Sequence, residues 1–307
     1  MTVPAISVTG LTKRFGSRVA VDALTLEVPA GVVAGFVGPN GAGKTTTMAM
    51  LLGLVRPSAG TGAVLGHSLD HPARYLPHVG ALIENPAFYP ALSGARNLEV
   101  FAIVGDHDPD RIPALLELVG LDDRGKDPFR SYSLGMKQRL GIAAAMLGNP
   151  RLLILDEPSN GLDPQGMREM RELITRVAAD GRTVLVSSHV LSELEQICDW
   201  LIMIERGAVL YAGAAADFVV DTLVTLTIST GRPSDLPVLY KVLAAAGHEL
   251  EMRDDCLVAH VGAADLSAAA AELNRAAFEG GLVLTELSPQ RSTLQDRYLT
   301  LVDGSTR

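Results

Sequence analysis

Gly38-Pro39-Asn40-Gly41-Ala42-Gly43-Lys44-Thr45 reads G-x-x-x-x-G-K-T. Three glycines let the backbone fold back so that several N–H groups point at one spot. Thr45-Thr46-Thr47-Met48 then opens a helix, and a helix N-terminus adds partial positive charge at the same place. Lys44 adds a full charge. Such a cage suits the β- and γ-phosphates of a nucleotide, with the Thr45 hydroxyl placed to ligate their Mg²⁺. The alternative is a glycine-rich turn that simply joins a strand to a helix. A chance match to the pattern in a chain this long is on the order of one per cent, and the strand and helix on either side lower it further.

Two more sites of chemistry lie downstream. Leu152-Leu153-Ile154-Leu155 ends in Asp156-Glu157. Four consecutive apolar residues mark a central parallel strand buried on both faces. Carboxylates at the carboxyl end of such a strand stand where α/β folds place ligands. Asp156 reads as a Mg²⁺ ligand, directly or through water, and Glu157 as the group that polarises an attacking water. Thr183-Val184-Leu185-Val186-Ser187-Ser188 is the next buried strand, with His189 at its carboxyl end. A lone histidine at a strand end is usually structural. Here it is third in an alternating β/α series, after the phosphate loop and the Asp-Glu strand, which puts its imidazole near the γ-phosphate. Ser133 and Gly135 stand at another helix start and read either as a plain N-cap or as an anion seat. Phe15, in a turn, is either turn packing or a ring for stacking on an adenine.

The elements that must position these groups follow from pattern. Gly31 to Val37, short, apolar and rich in β-branched residues, is the strand before the loop. Ile6–Leu11 and Val19–Val28 read as an antiparallel edge beside it, and Gly62–Gly66 and Val79–Ile83 as further strands. Residues from about 85 to 148 read as a helical insertion, and Gln165–Ala179 as an amphipathic helix. These make an α/β domain over residues 1–216. From about Asp217 the pattern changes to β-α-β-β-α-β, with a final helix over Thr293–Leu301. This predicts a small ferredoxin-like α+β accessory domain over 217–307.

Bulk numbers exclude some classes. The chain has 307 residues, 26 Lys+Arg and 35 Asp+Glu, for a net charge of -9. That argues against a broad nucleic-acid surface, which needs a basic excess. The two cysteines, Cys198 and Cys256, are far apart without metal or redox spacing, which fits a reducing compartment. No signal peptide is expected, since the N-terminus runs straight into strand-like sequence. No apolar run reaches the roughly 18 residues of a membrane span.

Taken together, these motifs resemble the ATP-binding subunit of an ABC transporter over about residues 5–215. Tyr132-Ser133-Leu134-Gly135-Met136 stands at the family signature, Asn160-Gly161-Leu162-Asp163 at its D-loop, His189 at its switch histidine and Phe15 at its adenine-stacking aromatic. The resemblance implies a P-loop NTPase fold that binds ATP and Mg²⁺. It also implies a head-to-tail homodimer in which Ser133 and Gly135 face the partner's γ-phosphate. A separate transmembrane permease would carry the substrate, with this chain peripheral on the cytoplasmic face of the membrane and no nucleic acid as partner.

Three positions depart from the family. Leu134 and Met136 replace a signature glycine and glutamine. Glu84 stands where the Q-loop glutamine is expected, beside Mg²⁺ or its water. The segment Ile83 to Pro90, with Phe88 and Tyr89 as either core or coupling contacts, resembles the bacitracin- and lantibiotic-exporter branch. That branch implies export of a drug, peptide or lipid-like substrate. The alternative is a non-transport ABC ATPase acting on the ribosome or nucleic acid. Translation-type members carry two such domains in one chain, and repair-type members carry coiled coils or zinc sites.

Overall fold

A computed structural model describes residues 3–84, 87–220, 224–253, 255–261 and 266–291. Asn85, Pro86, Leu223, Asp254 and the helix expected at Thr293–Leu301 lie outside these. The chain divides into two compact units, Met1–Ala216 and Asp217–Arg307. No helix among the described residues is long and apolar enough to cross a membrane.

In the first unit, β1 (Ile6–Phe15) and β2 (Arg18–Val28) form an antiparallel hairpin. Phe15 is the last residue of β1, paired with Arg18. The hairpin does not extend the sheet of the phosphate-loop strand β3 (Val33–Val37), because parallel strands occupy both edges of β3. Instead, after helix α1 (Lys44–Leu51), strands β4 (Ala59–Val64) and β5 (His67–Ser68) complete a separate four-stranded sheet, ordered β2-β1-β4-β5.

The central sheet holds β3 with β6 (Val79–Leu82), β7 (Leu152–Leu155), β8 (Thr183–Ser188), β9 (Trp200–Glu205) and β10 (Ala208–Ala214), ordered β10-β9-β3-β8-β7-β6. All neighbours are parallel except β10 with β9. Every residue of β3, β7 and β8 is buried. Their sequences are near-continuous apolar runs because both faces of a parallel sheet are covered.

Helices α2 (Gly94–Val104), α3 (Ile112–Leu118) and α4 (Leu134–Ala145) lie between β6 and β7 in the chain. The first helix of the stretch expected to be helical from about residue 85 begins only at Gly94. Fully buried Asn97 accepts from the Tyr89 N–H and donates to the carbonyls of Tyr89, Leu92 and Ser93, which holds the residues before Gly94 as a loop. Ser93 then caps α2 by accepting from the Arg96 N–H. Phe88 packs edge-on against Phe101 and Phe129, whereas Tyr89 is exposed.

Helix α5 (Pro164–Ala178) follows β7 and buries Met170, Leu173, Ile174 and Val177. That spacing is one face of a helix. Helix α6 (Leu191–Leu194) follows β8, and α7 (Ala215–Val220) follows β10. Cys198 is a free thiol, and burial, aided by Asp199, pushes its pKa up to about 12.

The second unit contains β11 (Val224–Thr230), α8 (Leu236–Ala245), β12 (Leu250–Arg253), β13 (Cys256–Val261), α9 (Leu266–Glu279) and β14 (Leu284–Arg291). Its sheet is wholly antiparallel, ordered β12-β13-β11-β14. This is the strand order of a split β-α-β unit. Leu226, Ile228, Leu239, Leu243, Leu257 and Leu273 form its core between sheet and helices.

Candidate active site

The loop Gly38–Gly43 leaves β3 at its carboxyl end and feeds α1. Its glycines answer to close packing. A Cβ on Gly38 would stand 2.4 Å from the Ile204 carbonyl oxygen, and Gly43 has φ 105 with the Ala20 carbonyl 2.6 Å from where a Cβ would lie. Lys44, the first residue of α1, is buried. Its Nζ donates to the Gly38 carbonyl at 2.6 Å and lies 3.1 Å from Glu157 Oε1.

The hydroxyl of Thr45 donates to Asp156 Oδ2 at 2.6 Å. Asp156, buried just past β7, accepts from the Ser187 hydroxyl at 2.5 Å on its other oxygen. The same Ser187 oxygen accepts from the Glu157 N–H at 2.8 Å. Glu157 takes a left-handed backbone with φ 49. For a residue other than glycine this costs about 1–3 kcal/mol and persists only where surrounding contacts hold it. Ser187 and Lys44 supply such contacts. On its far side, Glu157 Oε2 lies 2.8 Å from His189 Nδ1. Lys44, Thr45, Asp156, Glu157, Ser187 and His189 therefore form one connected polar network along the carboxyl ends of β3, β7 and β8.

Above it lies a cleft of about 330 Å³ lined by Phe15, Arg18, Ala20, Asn40, Gly41, Gly43, Lys44, Thr45, Thr46 and Glu157. Phe15 is 52% exposed at its rim, with the Lys13 ammonium 4.9 Å from the ring centre. The donor set fits Mg²⁺. The Thr45 hydroxyl and the Asp156 carboxylate are hard oxygens already 2.6 Å apart. This cation usually takes one or two protein oxygens and completes its shell with phosphates and water. Among the described residues no group of three or more His, Cys, Asp or Glu is arranged to hold a metal.

Four expected residues, Ser133, Gly135, Glu84 and Asp163, stand apart from this cleft's lining. Ser133 caps α4 by accepting from the Met136 N–H at 3.3 Å and is exposed. Gly135 follows in the first turn, beside Leu162. Glu84 lies just past β6, exposed, with φ 59. Asp163 caps α5 by accepting from the Gly166 N–H at 2.9 Å. The sequence reading passed over Arg18, which lines the cleft, and assigned no role to Ser187 and Ser188. Two hydroxyls closing an otherwise apolar strand were the available signal, since buried hydroxyls need partners.

Residues 21–160 match the family model described as ABC transporter. The chain is 37% identical to the bacitracin transport ATP-binding protein BcrA of Bacillus licheniformis, over 98% of this chain and 98% of that protein. It is 40% identical to the lantibiotic transport ATP-binding protein SrtF of Streptococcus pyogenes, over 67% of this chain and 89% of that protein. Among solved structures, an ATP-binding subunit of an ABC transporter superposes with a TM-score of 0.62 at 30% identity, over 70% of this chain and 91% of that one. The match to BcrA runs nearly end to end and includes the phosphate loop and the Asp-Glu strand. With this geometry and these relatives, the chain belongs to the ABC transporter family as an ATP-binding and ATP-hydrolysing subunit.

Proposed function

We propose that this subunit drives export of a peptide antibiotic or a comparable drug or lipid-like compound through a separate membrane subunit. It would sit peripherally on the cytoplasmic face of the membrane. The near full-length similarity to a bacitracin transport protein supports the substrate class. The same similarity favours transport over action on ribosomes or nucleic acid, and the net charge of -9 agrees.

The observation that carries the mechanism is the chain of contacts Lys44–Glu157–His189. An arriving γ-phosphate competes with Glu157 for the Lys44 ammonium. Lys44 then pairs with phosphate, and Glu157 Oε1 is released to accept a hydrogen bond from a water in line with the γ-phosphorus. His189, on Oε2, holds the carboxylate in that orientation. Bound Mg²⁺, held by Thr45 and Asp156, would neutralise charge on the β- and γ-oxygens. The loop N–H groups of residues 40–45 and the α1 N-terminus stabilise the same charge. Phe15 offers its face to the adenine, and Glu84, just past β6, would contact the bound metal or its water.

Ser133 and Gly135 point to a second function for α4. Ser133 is exposed and Gly135 half-buried, and neither lines its own chain's cleft. Their place in the mechanism is to close the nucleotide site of a second copy, giving a head-to-tail homodimer with two ATPs between the subunits. Asp163, just before α5, orders the D-loop at that junction. Residues 217–307 act as an accessory domain that supports the assembly.

Glu157→Gln tests the assignment. The variant should bind ATP, form a stable ATP-dependent dimer, and turn over slower by about 10²–10⁴-fold, the usual worth of a general base. Hydrolysis at the wild-type rate would remove Glu157 from this role. Stimulation of wild-type ATPase by a co-expressed membrane protein, and not by RNA or DNA, would test the transport reading.

A further inference from the structure

We propose that Glu193 is a positioning residue for hydrolysis: it closes a ring of contacts that holds His189 against Glu157. The inference rests on the reading of Glu157 and His189 given above. Glu193 lies in α6, away from the cleft lining. A single oxygen, Oε2, accepts from the Ser159 hydroxyl at 2.8 Å and from the Ser188 hydroxyl at 3.3 Å. Ser159 is two residues past Glu157, and Ser188 immediately precedes His189. The ring therefore runs Glu157, Ser159, Glu193, Ser188, His189 and back to Glu157 across the 2.8 Å imidazole–carboxylate contact.

Each neighbouring contact feeds the same ring. The Ser188 oxygen also accepts from the Val190 N–H at 2.9 Å, which fixes the turn that carries His189. Ser187, on the opposite face of β8, pins the Glu157 N–H. The loop after β7 and the turn after β8 belong to different β/α units, and beyond the strands only side chains can tie them. His189 is more than a third exposed, with its side chain at 39%. Packing alone does not lock its ring, so the angle of the turn decides where Nδ1 points.

The chemistry makes a distinctive demand. Both serines donate to one oxygen, and a neutral amide oxygen has two lone pairs for the purpose. The ring needs an acceptor at that point, not a charge. A carboxylate that merely favours the start of a helix would act through its charge, and its loss would lower stability without regard to His189.

Steady-state ATPase of the full chain, with ATP binding and thermal midpoint measured alongside, separates these roles. Glu193→Ala should lower kcat by about tenfold or more, as misplaced catalytic groups do, with KM for ATP little changed. Glu193→Gln should recover most of the rate. In a His189→Ala background, Glu193→Ala should cost little more, since coupled residues are not additive. If Glu193→Ala fails to fold, Ser159→Ala and Ser188→Ala replace it, each removing part of the rate with ATP binding intact. A wild-type kcat in Glu193→Ala, no recovery by glutamine, or a full additional loss without His189 would each overturn the ring. Should Glu157→Gln and His189→Ala themselves leave turnover intact, the assignment of the base falls and the ring with it. Should they abolish turnover while Glu193→Ala has no effect, the ring alone is wrong.

Discussion

Both units of this chain lay helices on a sheet, yet their polar groups are distributed in opposite ways. In the first, β3, β7 and β8 run parallel. Everything the sequence places just after them therefore lies along one edge: Gly38–Thr45, Asp156-Glu157 and His189. Residues 111 and 31 positions apart in the chain meet as Thr45–Asp156 and Asp156–Ser187. In the second unit every neighbour is antiparallel. The carboxyl ends of neighbouring strands therefore lie at opposite edges, and polar side chains pair along the strands or between adjacent ones. Arg253 meets Glu251 at 2.8 Å, and Ser288 meets Glu286 at 2.7 Å. Strand direction, more than composition, decides where chemistry can collect. A parallel sheet converges its loops, and an antiparallel one scatters them.

The severest way to break the comparison is to disturb the edge where the first unit converges. In Gly38→Ala the new methyl would overlap a backbone carbonyl, Ile204 O, at 2.4 Å, so the loop itself must move. Overpacking of this kind costs about 1–3 kcal/mol of stability. The larger effect is on function: loop N–H groups displaced by about 1 Å should cost about a hundredfold in ATPase rate. Fluorescent nucleotide binding and steady-state hydrolysis measure it. Near wild-type turnover would mean that the loop tolerates a geometry other than this one.

The converse substitution sharpens the contrast from the other side. Leu239, fully buried among Leu226, Ile228 and Leu273, anchors the second unit's core. Leu239→Ala should destabilise that unit by about 2–5 kcal/mol, seen as an earlier unfolding transition. Because no group of the active-site network lies in that unit, ATPase at a temperature below the transition should change by less than about twofold. A large loss of hydrolysis with the second unit still folded would show that it contributes to the site.

The same contrast explains what the sequence made legible. The fully buried strands of the first unit announce themselves as apolar runs, and the groups at their carboxyl ends follow by position alone. Asp156, Glu157, Lys44 and Thr45 could be placed because topology leaves them nowhere else to go. The hairpin Ile6–Val28 could be recognised but not assigned to its sheet. Pairing partners are set by long-range competition for the edges of β3, which local pattern does not record. The loop before α2 read as helix because its ordering group, Asn97, lies eight residues past Tyr89 and acts by burial of a side-chain amide. The partners of Ser187 and Glu193 stay hidden for a similar reason, although the Ser187 hydroxyl at the end of a buried strand signals that it needs one. Each residue works through partners about thirty positions away, and no period or spacing in one sequence reveals that.

The mildest test concerns Glu84, the residue that most departs from the family pattern. The strand before it, β6, is an edge of the central sheet and, among the described residues, pairs with β7 alone. It therefore stands at the margin of the convergent edge: exposed, left-handed at φ 59, and not among the residues lining the cleft. Glu84→Gln leaves the backbone conformation available and restores a side chain that both donates and accepts hydrogen bonds. It also removes a negative charge just past β6. ATPase should therefore persist within about threefold, and since an exposed charge is screened by salt, any difference should shrink as ionic strength rises. Assays of basal and partner-stimulated hydrolysis across a salt series test this. Complete loss of the stimulated rate alone would mean that the carboxylate, marginal to the cleft, is required for coupling to the membrane subunit.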